Sequence, residues 1–411
     1  MRTEALCVDA DRLLRRLEAL AQIGAIEGGG CCRLALSDED KAGRDRVVSW
    51  MRELGLEVAV DAIGNIFGLR RGLRDVAPVM TGSHIDTVRT GGRYDGNLGV
   101  LGGLEVVQTL NDAGFATQRP LVVAVFTDEE GARFAPDMLG SLVYVGGLDL
   151  QAALDTVSID GERLGDELAR IGYDGSAPLG LHRPHAYVEL HIEQGPVLDE
   201  EGITIGAVEN LQGISWQEVT ITGQSNHAGT TPMRLRRDAG YCAAAIGVFL
   251  RQLASELGGN QVCTMGKVDL HPNLINVIAA RARLSVDLRN TEELLLQEAE
   301  RRLARFLEEL ARAESVTIDT RRLARFEPVQ FDDDVARMIE SHAARLGCSH
   351  RRMTSGAGHD AQMLARICPA SMVFVPSVKG ISHNPAEHTA PADLAAGANV
   401  LLHTLMELAC Q

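Results

Sequence analysis

The sequence predicts an α/β protein carrying an inserted α+β domain, and three observations lead there. The chain has 411 residues, past the roughly 250–300 at which one hydrophobic core stops growing, so two cooperating domains are expected. Continuous apolar runs such as LVVAVF at 121–126 mark strands buried on both faces, as in a parallel sheet. Between about 211 and 325 the pattern changes to alternation, the mark of half-buried antiparallel strands.

In chain order, Leu13, Leu14, Leu17, Leu20 and Ala21 recur at helical spacing behind Asp9, and Val47, Trp50, Met51 and Leu54 do so ahead of Gly55, a helix stop. A strand at 78–82, a helix at 99–110 and strands at 121–126 and 186–192 follow in α/β alternation. Next come VTITG at 219–223, and Ala280, Ala282, Leu284, Val286 and Leu288 set against Arg281, Arg283, Ser285, Asp287 and Arg289. These read as antiparallel strands around helices at about 238–257 and 291–313. Helix 332–346, strand 370–376 and helix 392–408 return to the α/β style. The predicted organisation is an outer domain made of 1–210 and 326–411, with 211–325 inserted. EGGGCC at 27–32 lacks the GxGxxG spacing and follows no strand, so it reads as a flexible loop.

Asp and Glu number 56 against 40 Lys and Arg, a formal charge of −16 that leaves no basic footprint for nucleic acid or anionic lipid. No apolar stretch reaches the roughly 18 residues of a membrane span. MRTEALCVDADRLL is charged from Arg2 onward and lacks the apolar core of a signal peptide, so a cytoplasmic location is expected. Eight cysteines are scattered with no CxxC and read as reduced packing residues.

The chemistry concentrates at strand ends. VMTGSHIDTVRTGGRYDGNLGV places His84, Asp86 and Asp95 in a glycine-rich loop after a buried strand, where open α/β sheets bind ligands. LVVAVF runs into Thr127, Asp128, Glu129 and Glu130; YVELHIEQG carries His191; SMVFVP leads to His383 in GISHNPAEH. Alone, His84 or His383 reads as a hydrogen-bonded loop histidine, and Glu129 and Glu130 as solvated charges. Together they suit Zn²⁺ or a similar first-row ion, with one carboxylate bridging two ions about 3.5–4 Å apart. His191 is the sharpest single residue, because an imidazole inside an apolar strand needs a polar partner.

With these residues the chain resembles the amidase, hydantoinase and carbamoylase branch of the M20 metallopeptidase-like proteins. GSHIDTV, GGRYDGNLGVLGGLE, TDEEGARF, LHIEQGPVLD, SNHAGTTPM, INVI, TSGAGHDAQ and GISHNPAEH match in order over about residues 10–405. The resemblance implies a zinc-peptidase-like α/β/α catalytic domain with a mixed sheet, an inserted ferredoxin-like lid and dimerisation domain, and a homodimer. It implies two divalent ions, Zn²⁺ by ligand type with Mn²⁺, Co²⁺ or Ni²⁺ as alternatives. One ion would take His84, Asp95 and His191, the other Asp95, Glu130 and His383. Glu129 would be the general base and Asp86 would orient His84. His227 would reach the partner subunit's active site and stabilise an oxyanion. Asn276 and Arg289 match the substrate-binding pair, with Arg289 clamping a carboxylate; Gln194 and Gly358 are further substrate contacts. From the residues alone, His227 is equally an exposed loop histidine and Arg289 one of three arginines on a polar strand face. The peptidase branch usually has a carboxylate where this chain has His191, which favours the amidohydrolases.

The activity implied is hydrolysis of N-carbamoyl-L-amino acids to the amino acid, CO₂ and ammonia. Allantoate amidohydrolase or β-ureidopropionase activity, with the same machinery and a small ureido carboxylate as substrate, is the enzyme alternative, and a dipeptidase comes third. The competing reading from another class is a non-catalytic, metal-bound dimeric binding protein. Ser355, His359 and Asp360 are triad residue types, but TSGAG is not the GxSxG elbow.

Overall fold

The computed structural model describes residues 6–411. The charges at Arg2 and Glu4, used above against a signal peptide, lie outside those residues. The chain divides into two compact units, one running to Asn210 and resuming at Gln330–Gln411, the other Leu211–Val329. Among the described residues no helix is long and apolar enough to cross a membrane.

The first unit is built on a nine-stranded mixed sheet. Its strands are β1 (Glu57–Val60), β2 (Ile66–Arg70), β3 (Val79–His84), β4 (Leu121–Phe126), β5 (Ala186–Ile192) and β6 (Ile205–Leu211), joined after the insertion by β11 (Val329–Gln330), β12 (His350–Ser355) and β13 (Ala370–Val375). Four neighbours, in the order β4-β3-β5-β13, run parallel. Each of the four is buried along its whole length, as parallel strands covered on both faces must be. The antiparallel β2 and β1 flank β4, and β6 flanks β13.

Helices α1 (Ala10–Ala21), α2 (Asp38–Glu53) and α3 (Asn97–Asp112) precede β4, and α12 (Pro391–Cys410) closes the chain. Asp9 and Ser37 cap the first two by accepting backbone N–H groups. Helices α3 and α12 pack on the parallel strands, with α1 behind them. Leu13, Leu17 and Leu20 of α1 and Leu98, Leu101 and Leu104 of α3 enter one core. The short helices α4 (Leu139–Tyr144), α5 (Leu150–Leu154), α6 (Leu164–Ile171) and α7 (Val197–Glu201) connect β4 to β6.

The EGGGCC segment is a pinned loop. Cys31 N–H donates to the Gly91 carbonyl at 2.9 Å and Cys32 N–H to the Gly24 carbonyl at 2.7 Å, tying it to the strand-end loop at 85–91. All eight cysteines are free, but Cys7 and Cys410 are exposed and serve no packing role.

The second unit is a four-stranded antiparallel sheet in the order β10-β7-β9-β8, with β7 Gly213–Thr222, β8 Val262–His271, β9 Arg281–Asn290 and β10 Thr317–Phe326. Helices α8 (Ala239–Leu257) and α9 (Glu293–Glu314) connect the strands as β-α-β-β-α-β, the ferredoxin-like arrangement. On β9, Ala282, Leu284, Val286 and Leu288 point into a core shared with Ile246 and Leu250 of α8 and Leu303 of α9. After β11 the chain forms α10 (Asp333–Arg345) and, between β12 and β13, α11 (Asp360–Leu364).

Candidate metal centre

The carboxyl ends of the four parallel strands each deliver one part of the cluster. β3 ends on His84; β4 passes through Thr127 into Asp128, Glu129 and Glu130; His191 is the second-last residue of β5; β13 leads to the loop holding His383. Asp128, Gln194 and His383 all have left-handed φ values of 53–57°. Strain of this kind, gathered around one cluster, marks a site whose geometry the surrounding structure enforces.

Asp95 is the hub. It precedes a tight turn in which Asn97 N–H donates back to the Asp95 carbonyl at 2.6 Å, with Gly96 at φ 64°, ψ −46°, the positive-φ form of a γ-turn. Asp95 Oδ1 lies 3.2 Å from His191 Nε2 and 3.7 Å from His84 Nε2. Its Oδ2 lies 3.2 Å from His383 Nε2, which is in turn 3.3 Å from Glu130 Oε2. Among the described residues three groups could hold an ion: His84–Asp95–His191 and Asp95–Glu130–His383, which share Asp95, and Glu189–His191–His359, which shares His191 with the first. Glu129 Oε2 stands 3.3 Å from His84 Nε2.

The tautomers are set from outside. His84 Nδ1 faces the Asp86 carbonyl at 2.9 Å and His191 Nδ1 the Ile192 carbonyl at 2.9 Å. Nδ1 therefore donates in both, and Nε2 is the nitrogen turned toward the cluster. The Asp86 carboxylate accepts the backbone N–H groups of Glu129 and Glu130, each at 3.3 Å. Asp86 thus holds the histidine with its main chain and the glutamate pair with its side chain.

Burial and mutual repulsion dominate the electrostatics of the cluster. Burial, and repulsion from Asp360 and Glu130, push Glu129 well above the usual carboxylate range; burial and Asp95 do the same to Glu130. Burial also pushes Asp86 up to about 7 and His84 down to about 4. Burial opposes the charge on Asp95, yet His191 and His383 hold it well below the ordinary range. For His191, burial opposes protonation, but Asp95 outweighs it and raises the imidazole to about 9. Three carboxylates converging in a buried space, with imidazole nitrogens on either side, are the donor set of first-row divalent ions.

Sequence reasoning passed over two residues here. Glu387 Oε1 accepts the N–H groups of Tyr94 and Asp95 at 3.0 and 3.3 Å, and its Oε2 takes the Ser382 hydroxyl at 3.1 Å, joining the Asp95 loop to that of His383. Its signal was a glutamate inside the quoted GISHNPAEH. Arg33, fully buried, left no signal. Gln194 Nε2 donates to Asp95 Oδ2 at 2.8 Å. Gly358 packs against Met138, whose Cε lies 3.0 Å from where a side chain would begin. His359 reaches Ser355 at 3.1 Å, but Ser355 Oγ also bonds Ala357 O at 2.9 Å, and neither Asp360 oxygen has a hydrogen-bond partner. No nucleophilic triad forms.

In the second unit, His227 and Asn276 lie on paired segments: Ala228 N–H donates to the Asn276 carbonyl and Ile278 N–H to the Asn226 carbonyl. His227 Nδ1 accepts N–H groups from Gly229 and Thr230 at 3.0 and 3.2 Å, which leaves the proton on Nε2. Both residues are exposed. Arg289 is near the other end of β9, whose partner at the first end is His271. At about 3.4 Å per residue, eight residues of strand put roughly 27 Å between the two ends. One chain therefore does not bring Arg289 and Asn276 together. The Arg289 guanidinium is bonded to Asp287 at 2.9–3.1 Å and lies 5.9 Å from the Trp216 ring centre.

The model of peptidase family M20/M25/M40 matches residues 80–407. An N-carbamoyl-L-amino-acid amidohydrolase of Rhizobium meliloti is 41% identical over 403 residues, covering 98% of this chain and 97% of that one. A ureidoglycolate hydrolase of Arabidopsis thaliana is 35% identical over 416 residues, covering 98% and 87%. The crystal structure of an amidase of the hydantoinase/carbamoylase family from Burkholderia multivorans is similar at TM-score 0.95 and 45% identity, over 99% of each chain.

Proposed function

The chain belongs to peptidase family M20/M25/M40, within its amidohydrolase branch, and we propose that it is a cytoplasmic, homodimeric, dinuclear enzyme hydrolysing N-carbamoyl-L-amino acids to the amino acid, CO₂ and ammonia. The observation that carries this reading is the double use of Asp95, one oxygen toward His84 and His191 and the other toward His383 and Glu130.

In this reading His84, Asp95 and His191 hold one ion and Asp95, Glu130 and His383 the other, Zn²⁺ by ligand type with Mn²⁺, Co²⁺ or Ni²⁺ as alternatives. Ions so held polarise a carbonyl oxygen and acidify water. Glu129 takes a proton from the attacking water and passes it to the leaving nitrogen. Asp86 keeps His84 in the productive tautomer, and Gln194 and Gly358 border the substrate. Arg289 clamps the substrate carboxylate as a two-pronged donor. His227, with its proton on Nε2, suits an oxyanion. A small ureido acid cannot span the length of β9, so His227 and Asn276 serve the active site of a second copy. In support, the edge strand β8 exposes Val262, Val268 and Leu270, and α8 exposes Tyr241 and Val248, apolar surface of the kind an interface covers.

The test is ammonia release from N-carbamoyl-L-methionine before and after chelation, alongside metal analysis. Release that chelation abolishes is expected. Bound metal without release from any ureido acid would favour a binding protein. SVKGISHNPAEH also resembles the allantoate enzymes, so both enantiomers, allantoate, ureidoglycolate and 3-ureidopropionate belong in the panel.

A further inference from the structure

Arg33 is a fully buried arginine outside every motif discussed above. Its fork reaches three separate parts of the chain. Nε donates to the Ile85 carbonyl at 2.7 Å. Nη1 donates to the carbonyls of Leu20 and Ile23 at 3.1 and 2.7 Å, with Cys31 Sγ at 3.2 Å. Nη2 donates to Asn97 Oδ1 at 2.7 Å. Its main chain adds two more bonds, Arg33 N–H to Thr87 Oγ1 at 2.8 Å and Thr87 N–H to the Arg33 carbonyl at 2.9 Å.

Two of those partners flank proposed metal ligands. Ile85 stands between His84 and Asp86, and fixing its carbonyl fixes the peptide that leads into Asp86, whose own carbonyl holds His84 Nδ1. Asn97 supplies the N–H that closes the turn behind Asp95. Burying a guanidinium costs free energy unless each donor finds an acceptor, and here the acceptors are carbonyls, an amide and a thiol instead of a carboxylate. An interaction that only joined helices would not need them at these two peptides. Lysine, with three donors on one nitrogen, cannot reach acceptors on three sides.

We propose that Arg33 is a positioning residue of the metal centre, setting the separation of the His84 and Asp95 loops through Ile85 and Asn97. The proposal rests on the metal reading above. It is tested by equilibrium dissociation constants for Co²⁺ and Zn²⁺, measured against a buffered chelator, and by the visible absorption of the Co²⁺-loaded protein. Arg33→Lys and Asn97→Ala are compared with Leu17→Ala, a core variant in α1 that destabilises while removing none of the hydrogen bonds to either loop.

The expected result is that Arg33→Lys weakens metal binding by about 10–100-fold, the usual effect of removing a group that orients a ligand, and shifts the Co²⁺ spectrum. Asn97→Ala should weaken binding in the same direction, while Leu17→Ala lowers the melting temperature and leaves binding unchanged. If the wild-type chain binds no metal, the metal reading fails and this proposal with it. If the wild type binds and Arg33→Lys stays within about twofold, Arg33 alone is overturned. Should Arg33→Lys not fold, Asn97→Ala decides by the same criterion.

Discussion

Gly96→Ala tests the centre through one methyl group. Gly96 sits at φ 64°, ψ −46°, and an L-residue forced into such backbone costs about 1–3 kcal/mol. The larger effect is contact. A Cβ at Gly96 would lie 2.5 Å from Cε1 and Nε2 of His84 and 2.6 Å from its Cδ2, where carbon contacts ordinarily settle at about 3.5–4.0 Å. The ring must retreat by about 1 Å, although Nδ1 is held by the Asp86 carbonyl. Metal-ligand distances tolerate about 0.2 Å, so the retreat removes one donor from the His84–Asp95–His191 group. Metal content after dialysis against a buffered chelator should fall, with affinity weakened at least about 10–100-fold, by analogy with the loss of ligand support. Gly114→Ala is the control, since Gly114 also has positive φ, at 60°, but nothing within 4 Å of its Cβ position. It should lower stability and leave metal content alone. Equal metal retention in the two variants would refute the reasoning.

Further tests separate the roles. Glu129→Gln should keep its metal and lose about 10²–10⁴ in turnover; a fully loaded variant within about tenfold of wild type would mean that another group moves the proton. Arg289→Lys should raise KM roughly tenfold for carboxylate substrates, the loss of one prong of a paired bond, and less for neutral ureas. Equal effects on both would remove the clamp. Asp61 gives a pH signature away from the site. Burial raises its carboxyl to about 6 from 3.8, against hydrogen bonds from Asn65 and Ile63. The folded state therefore keeps a proton that the unfolded state has released between those values, so this contribution to stability is complete below about pH 3.8 and fades as pH rises through about 6. The shift corresponds to about 3 kcal/mol. Asp61→Asn removes it, so the stability of the variant relative to wild type should improve by that order between pH 4 and 7. Parallel denaturation curves over that range would contradict it.

How far the sequence could be read depended on what each residue faces. LVVAVF and YVELHI are buried on both sides and announce themselves as strands. On β9 the alternation holds because one face meets α8 and α9. β8 and β10 carry no such alternation: most of their side chains are exposed, so nothing in the pattern distinguishes them from loops. β12, HRRMTS, is hidden because its half-buried positions are polar and only Met353 is apolar. The cluster was legible where strand ends carry histidine beside carboxylate, as in GSHIDTV, or adjacent carboxylates, as in TDEEG. The separation of Arg289 from Asn276 was not, because strand direction decides it. Nor was Arg33, whose bonds to Ile85 and Asn97 span 52 and 64 positions, and Glu387 showed only as a glutamate in GISHNPAEH, its tie to Tyr94 and Asp95 lying 293 and 292 positions back.

The second unit leaves and rejoins the first at one place. Phe331 N–H donates to the Glu209 carbonyl at 2.9 Å, and β11 lies beside β6 at the end of the large sheet. The excursion of more than a hundred residues is thus closed at its base like the stem of a hairpin. Swapping so long a loop for a short turn changes the entropy of closure only slowly, by about 0.6 kcal/mol per halving of length. The molecule is therefore modular for the protein engineer. A short turn from Asn210 to Gln330 should yield a miniature that retains the metal centre but lacks Arg289 and His227. Grafting another ferredoxin-like unit at the same stem would change which acids are gripped while leaving the metal-ligand cluster and Glu129 in place.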